Sequence, residues 1–119
     1  MASILLVTSD LARSSQVSGA AARVGATIET VMQPARLLER LENADCRLVI
    51  LDLNTPGVDP ASLVPLIRGQ SAAVGIVAFG PHVHEAKLQA AVQAGCDEVL
   101  TRGQFHARVD ELLRRYVAS

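Results

Sequence analysis

The 119-residue chain has a formal charge of −1, a pI of about 6.3 and half of its residues apolar, with only 3% aromatic. This balance excludes a strongly basic surface for nucleic acid or an anionic membrane, and no apolar run approaches the roughly 18 residues that a membrane span needs. We therefore expect a cytosolic protein of one domain, residues 1–119, with a core of Ala, Val, Leu and Ile.

Apolar runs alternate with helical periodicity from the start of the chain. The run SILLVTS, residues 3–9, predicts a buried strand. The segment 10–25 predicts a helix that is capped by Ser9 or Asp10 and ends at Gly25.

The middle of the chain predicts a sparse strand, a helix and a third strand. The strand at 26–32 has too few apolar residues to be buried on both faces, and the helix at 33–44 has Pro34 in its first turn. The third strand, CRLVILDL at 46–53, is the most apolar run. The leucines of the helix that we expect to face the core are Leu37, Leu38 and Leu41.

The rest of the chain continues the alternation. Asp59 and Pro60 begin a third helix, and Pro65 inside it predicts a short or kinked helix. Further strands are predicted at 73–80 and 97–102, with a helix at 83–95 between them. Residues expected on the inner faces are Leu63, Leu66 and Ile67 of the third helix and Phe105, Val109, Leu112, Leu113 and Tyr116 of the last.

Strict alternation of five strands and five helices predicts an α/β fold. Continuously apolar strands are typical of a parallel sheet covered on both faces, and we expect a doubly wound sheet of order 2-1-3-4-5. Its crevice lies outside the carboxyl ends of the first and third strands. Asp52 ends the third strand, so we expect its carboxylate at the solvated rim of this crevice and not in the core.

The segments ILLVTSD, LVILDLNTPGVD, GIVAFG and AGCDEVLTRG occur in the order and spacing of response-regulator receiver domains, which the chain resembles over roughly residues 3–116. The resemblance implies the flavodoxin-like (βα)5 fold of the phospho-aspartate switches of two-component signalling. It also implies that the third-strand aspartate accepts a phosphoryl group from a histidine kinase, with Mg²⁺ held by an acidic pair, that aspartate and a backbone carbonyl. A Thr or Ser and a Lys would contact the phosphoryl oxygens.

The family positions are only partly matched. Asp52 falls on the phospho-acceptor position and Asn54 on that of the metal-binding carbonyl, but the acidic pair falls on Thr8 and Ser9, with Asp10 as a possible substitute. The other departures are Gly80 at the Thr/Ser position, Arg102 at the Lys position and Val99 at the aromatic switch position.

These departures favour a degenerate receiver, or pseudo-receiver. Phosphoryl transfer depends on positioning and charge neutralisation, and two neutral hydroxyls are poor substitutes for carboxylates around Mg²⁺. We therefore expect no cofactor, and a module that acts by protein–protein contact. The resemblance implies that the partner is a histidine kinase, an output protein or a second copy. It also implies that this partner binds through the face of the fourth helix, fifth strand and fifth helix. The fourth helix there carries Leu88 and Val92 together with Ala90, Ala91 and Ala94.

Two other hypotheses stay open. In the first, the chain is an atypical phospho-acceptor that uses Asp52 with Asp10 and Arg102, binds Mg²⁺ weakly through Asp10, Asp52 and Asn54, and catalyses no more than its own phosphorylation. The guanidinium of Arg102 can pair with Asp52 or with a phosphate, and a resting Asp52–Arg102 pair would mimic a locked state and not a switch. In the second, the hydroxyl-rich loop TSDLARSS binds the phosphate of a flavin mononucleotide, although Asp10 would repel it.

The remaining reactive side chains have simpler interpretations. His82 and His84 are expected to be solvent-exposed loop residues and not, with Asp52, transition-metal ligands. His106 is expected on the surface. Cys46 and Cys96 match no metal motif and are expected to be small core hydrophobes without a disulfide.

Overall fold

The computed structural model describes residues 3–42 and 45–117, in which strands and helices alternate throughout. Residues 43–44 of the second predicted helix lie outside the described residues. A 3-10 turn, Pro34–Arg36, precedes the second helix. The elements are β1 Ile4–Val7, α1 Leu11–Val24, β2 Ile28–Val31, α2 Leu37–Glu42, β3 Leu48–Asp52, α3 Pro60–Gln70, β4 Gly75–Gly80, α4 Glu85–Ala94, β5 Glu98–Thr101 and α5 Arg102–Val117.

The five strands of the described residues form one parallel sheet of order β2-β1-β3-β4-β5. The predicted fold class and strand order are therefore confirmed. The order reverses between β1 and β3, which are adjacent, with Leu6 beside Ile50 and Val7 beside Leu51. The loops that follow these two strands consequently meet at the carboxyl edge of the sheet.

The strands are buried on both faces because successive side chains point to opposite sides. In β3, Leu48 and Ile50 pack with residues of α1 and α5, whereas Val49 and Leu51 pack with residues of α2, α3 and α4. On the α1/α5 side the rings of Phe79 and Phe105 stack, with centroids 4.3 Å apart and planes 11° apart.

Local signals in the sequence place the ends of α1 correctly. Asp10 is the N-cap, and its side chain accepts hydrogen bonds from the N–H groups of Ala12 and Arg13. Gly25 ends the helix in the left-handed conformation with φ 74°, which glycine adopts without steric cost. Of the two predicted caps, the structure uses Asp10.

Three local predictions differ from the structure. Leu66 was predicted to face the core, but it is 52% exposed. The buried stripe of α3 is formed by Leu63, Val64 and Ile67. Successive residues of a helix are rotated by about 100°, so Leu66 points away from that stripe. α3 is 11 residues long in total, an ordinary helix length, so Pro65 does not make it short. The last strand stops at Thr101, so Arg102 begins α5 directly and is not part of the strand.

Both cysteines are free and half-buried, on the side of the sheet covered by α2, α3 and α4. Burial raises the pKa of both thiols, that of Cys96 to about 11. None of the helices in the described residues has the length and apolar content needed to cross a membrane.

Candidate functional site

Asp52 lies at the end of β3 and joins the loops that follow β1 and β3. Its Oδ2 accepts a hydrogen bond of 2.7 Å from the Thr8 hydroxyl, and its Oδ1 accepts one of 3.0 Å from the N–H of Asn54. The Thr55 N–H donates to the Asp52 carbonyl at 3.0 Å. The carboxylate is therefore held on both oxygens by neutral donors.

The prediction that the Asp52 carboxylate lies at the solvated rim of the crevice is wrong, because Asp52 is only 3% exposed. Thr8 and Thr55 beside it are also buried, at 1% and 4%. A buried carboxylate is tolerated where hydrogen bonds replace its lost water, and here the two loops provide those bonds. Asp52 is thus enclosed by its own neighbours.

The two positions of the family's acidic pair have structural contacts of their own. The Thr8 hydroxyl donates to Asp52 and accepts from the Asp10 N–H at 3.0 Å. Ser9 is exposed, and its N–H donates to the Thr55 hydroxyl at 3.1 Å. These bonds connect the β1–α1 loop to the β3–α3 loop without a metal ion.

The side chains around Asp52 do not fit the magnesium site that the resemblance implies. Mg²⁺ is usually held by one or two carboxylates with water and phosphate. Asp10, the possible substitute, caps α1, and its Oδ2 lies 3.7 Å from Nε of Arg13. Among the described residues, no three His, Cys, Asp or Glu side chains come together as a metal-binding group.

Asp10 also occupies the N-terminus of α1, where the flavin hypothesis places the phosphate. Its Oδ1 accepts from the N–H of Ala12 at 2.9 Å and from that of Arg13 at 3.4 Å. Free N–H groups in the first turn are what attract a phosphate to a helix. In α1 two of these groups are already satisfied by the chain's own carboxylate.

Gly80, at the Thr/Ser position, is the last residue of β4 and is closely surrounded. A Cβ atom built there would lie 3.3 Å from Cβ of Leu53 and 3.7 Å from Cδ2 of Leu88. Apolar side chains therefore fill the space next to this position. Val99, at the switch position, is half-buried and packs on the same side of the sheet.

Arg102 does not pair with Asp52, although both lie in the described part of the chain: none of the ion pairs there joins them. The hypothesis of a resting Asp52–Arg102 pair is wrong. As the first residue of α5, Arg102 lines a surface groove with Arg13, His82 and His106, and Asp52 is not part of that lining.

The histidines and two residues without a predicted role complete this region. His82 and His106 are exposed and His84 is half-buried as the N-cap of α4. Sequence reasoning assigned no role to Arg13 or Thr55. The position of Arg13 on the inner face of α1 was predictable from sequence, because Arg13 precedes the buried Val17 by four residues. No pattern distinguishes Thr55.

The face formed by α4, β5 and α5 is crossed by a polar network. Arg115 donates to Glu98 at 2.6 Å and to Glu111 at 2.9 Å, and the Tyr116 hydroxyl donates to Glu98 at 2.8 Å. Val92 of α4 is 53% exposed. The network fixes α5 on β5 and leaves an apolar side chain of α4 in solvent.

Tyr116 provides a direct test of this network because it is the only tyrosine of the chain. Burial, followed by the hydrogen bond to Glu98, raises the pKa of Tyr116 to about 12. The neutral phenol therefore stabilises the fold fully below the ordinary pKa of about 10, and this contribution is lost as the pH rises through about 12. A titration of tyrosinate absorbance should show the raised midpoint, and Glu98→Gln should lower it. A midpoint at the ordinary value in the folded protein would contradict the network.

Comparison with known proteins agrees with this architecture. The family model described as the response regulator receiver domain matches residues 4–114. No curated protein sequence matches the chain significantly.

Similar solved structures include three receiver domains. That of a sensor histidine kinase from Pseudomonas aeruginosa, described with a magnesium ion in its active site cleft, has 21% identity, a TM-score of 0.81 and coverage of 99% of this chain and 98% of that one. That of NtrX from Brucella abortus has 20% identity, a TM-score of 0.82 and 98% coverage of both chains. A signal receiver domain from Bermanella marisrubri has 22% identity, a TM-score of 0.81 and 96% coverage of both chains.

The structural likeness shows the fold, and the sequence match extends over nearly the whole chain. Receiver domains work with histidine kinases and output domains in two-component signalling. The chain belongs to the response regulator receiver domain family.

Proposed function

We propose that this receiver domain is a pseudo-receiver, which signals through protein–protein contact and not through a magnesium-dependent aspartyl phosphate. The observation that carries the proposal is the enclosure of Asp52. Its two carboxylate oxygens accept bonds from Thr8 and Asn54, and only 3% of the residue is exposed. Phosphorylation would have to break a bond that connects the two loops.

The surroundings of Gly80 support the same proposal. A hydroxyl side chain after β4 would be the group that moves toward a phosphoryl oxygen, and Gly80 has none. Leu53 and Leu88 lie within contact distance of the Cβ that such a side chain would need. Gly80 therefore offers no polar side chain through which a phosphate on Asp52 would move the β4–α4 loop.

The α4–β5–α5 face is the proposed contact surface for a signalling partner, namely a histidine kinase, an output protein or a second copy of the chain. Val92 offers exposed apolar area on this face, and the Arg115 pairs with Glu98 and Glu111 provide a polar rim. Such a surface resembles the apolar centre and charged border of known interfaces. The module would work in the cytoplasm, bind no nucleic acid and need no cofactor.

One observation favours the alternative, an atypical phospho-acceptor. Asp52 sits at the carboxyl end of β3, at the switch point of the sheet, where ligands of doubly wound folds bind. In this alternative Thr8 would release the carboxylate, and Mg²⁺ would bind through Asp10, Asp52 and Asn54.

A pair of ¹⁵N–¹H NMR spectra distinguishes the two functions. Spectra of the chain without and with millimolar Mg²⁺ and beryllofluoride, which mimics an aspartyl phosphate, are expected to be the same around Asp52, Gly80 and Arg102. Shifts clustered at these residues and absent from Asp52→Asn would show that the site accepts a phosphoryl group, and the proposal would fail.

A variant with the acidic pair restored serves as the matched control. Thr8→Asp with Ser9→Asp places two carboxylates beside Asp52, and their repulsion should lower the melting temperature in the absence of metal. Mg²⁺ is expected to raise the melting temperature of this variant and to leave that of the unaltered chain unchanged. Equal stabilisation of both proteins by Mg²⁺ would favour the phospho-acceptor.

A further inference from the structure

A groove of about 490 Å³ lies between α1 and α5 at the carboxyl edge of the sheet, next to the loop that joins β4 to α4. Its lining includes two arginines and two histidines and no carboxylate. Four other grooves along the described residues each contain an acidic side chain. The residues that define this basic groove are Arg13, Pro81, His82, Val83, Arg102 and His106.

Two buried guanidinium nitrogens without a hydrogen-bond partner belong to residues of this groove. Of the described residues, three have a buried side-chain nitrogen with no hydrogen-bond partner: Nε of Arg13, Nε of Arg102 and Nδ1 of His84. The two arginines line the basic groove, and His84 lies outside its lining. Nε of Arg13 is also 3.7 Å from Oδ2 of Asp10, an ion-pair distance, whereas Nε of Arg102 has no ion-pair partner among the described residues. A buried donor without an acceptor costs free energy, which an acceptor brought by a ligand would recover.

Gln16 of α1 holds two side chains of the groove, Arg13 and His106, in place. Its Oε1 accepts from Nη1 of Arg13 at 2.9 Å, and its Nε2 contacts Nδ1 of His106. Because an amide nitrogen only donates, Nδ1 must accept, and the neutral imidazole then has its proton on Nε2. Nε2 of His106 is thereby available as a donor to a ligand.

The lining also offers an apolar contact. Val83 is 69% exposed, and Pro81 precedes it in the same loop. Binding sites for small organic ligands have volumes in this range, and they combine an apolar surface with a few convergent polar groups. Planar guanidinium groups match the oxygens of a phosphate in particular.

We propose that the basic groove binds a small phosphate ester. The phosphate contacts Arg13 and Arg102, and the flat or apolar remainder of the molecule contacts Pro81 and Val83. Asp52 does not line this groove, so the proposal goes beyond the proposed function and does not depend on it. A ligand here would connect α1, the β4–α4 loop and α5, and so act on the domain without an aspartyl phosphate.

Titrations of the chain with AMP, pyrophosphate and adenosine, followed by ¹⁵N–¹H NMR, test the proposal. AMP and pyrophosphate should shift the signals of residues 82–83, 102–106 and 13 in a saturable way, and AMP should bind more tightly. Adenosine should bind far more weakly than AMP. No saturable shift with either phosphate at millimolar concentration, or shifts centred on Asp52, would overturn it.

Variants that each remove one positive charge distinguish a specific binding site from general electrostatic attraction of the phosphate. Arg102→Gln and Arg13→Gln should each weaken AMP binding about tenfold or more, because each removes a charged donor to the phosphate. Arg47→Gln, at an exposed residue before β3 at the opposite edge of the sheet, should change it less than about twofold. Asp52→Asn should bind AMP as the unaltered chain does. Equal weakening by all three arginine variants would overturn the proposal.

Discussion

Replacing Phe105 by alanine is expected to lower the free energy of unfolding by about 3–5 kcal/mol. Phe105 is 1% exposed and stacks on Phe79 with ring centroids 4.3 Å apart. The substitution removes the buried ring, leaves a cavity in a core with few other aromatic residues and ends the stack. Urea denaturation followed by circular dichroism measures the loss.

Phe105→Leu is the matched control, since it keeps most of the apolar volume and removes only the stacking geometry. We expect a clearly smaller loss for leucine than for alanine. Phe105 is also next to His106 and one turn from Arg102, so the alanine variant should weaken phosphate binding at the basic groove. If Phe105→Ala and Phe105→Leu were equally stable, the cavity would not be the cause.

Thr8→Val is expected to cost about 2 kcal/mol, even though valine has the shape of threonine. The Thr8 hydroxyl donates to Asp52 at 2.7 Å and accepts from the Asp10 N–H at 3.0 Å. Valine leaves both the buried carboxylate and the N–H with one partner fewer. The loss should appear as a lower urea midpoint with an unchanged slope.

A double-mutant cycle identifies the interaction responsible. Thr8→Ser keeps the hydroxyl and should lose much less stability than Thr8→Val. In the Asp52→Asn background the cost of Thr8→Val should fall, because no charge is then left with an unfilled hydrogen-bond site. An equal cost in both backgrounds would mean that Thr8 stabilises the loops without involving the carboxylate.

Asp52 and the basic groove are two separate sites at the carboxyl edge of the sheet. Asp52 is enclosed by Thr8 and Asn54, whereas Arg102 lines a groove from which Asp52 is absent. In a phosphorylated receiver the basic residue at this position would contact the phosphoryl group on the aspartate. In this chain Asp52 and Arg102 have different surroundings, Asp52 among the bonds of Thr8 and Asn54 and Arg102 in the lining of the basic groove.

The order of elements could be predicted from sequence because it depends on local physics. Continuous apolar runs give strands buried on both faces, and right-handed crossovers leave few ways to arrange them. The ends of α1 at Asp10 and Gly25 follow from N-capping and from the left-handed conformation of glycine. Such signals act within a few residues and need no tertiary contact.

Side-chain environments were less predictable. Leu66 was expected inside and is exposed, because the apolar stripe of α3 is satisfied without it. Arg102 was placed in the last strand and begins α5. In each case several short-range patterns were possible, and packing against the rest of the fold selected one.

The sequence by itself determined the receiver fold, the position of Asp52 at the end of β3 and the absence of the family's acidic pair, since all three depend on residue types and their order. Only the tertiary structure decided that Asp52 is buried, because its partner Thr8 is 44 residues away. It likewise brought Arg13, His82 and Arg102 together from three separate segments. The burial of Asp52 and the clustering of these basic side chains depend on contacts between residues that are distant in sequence. No local sequence pattern predicts such contacts.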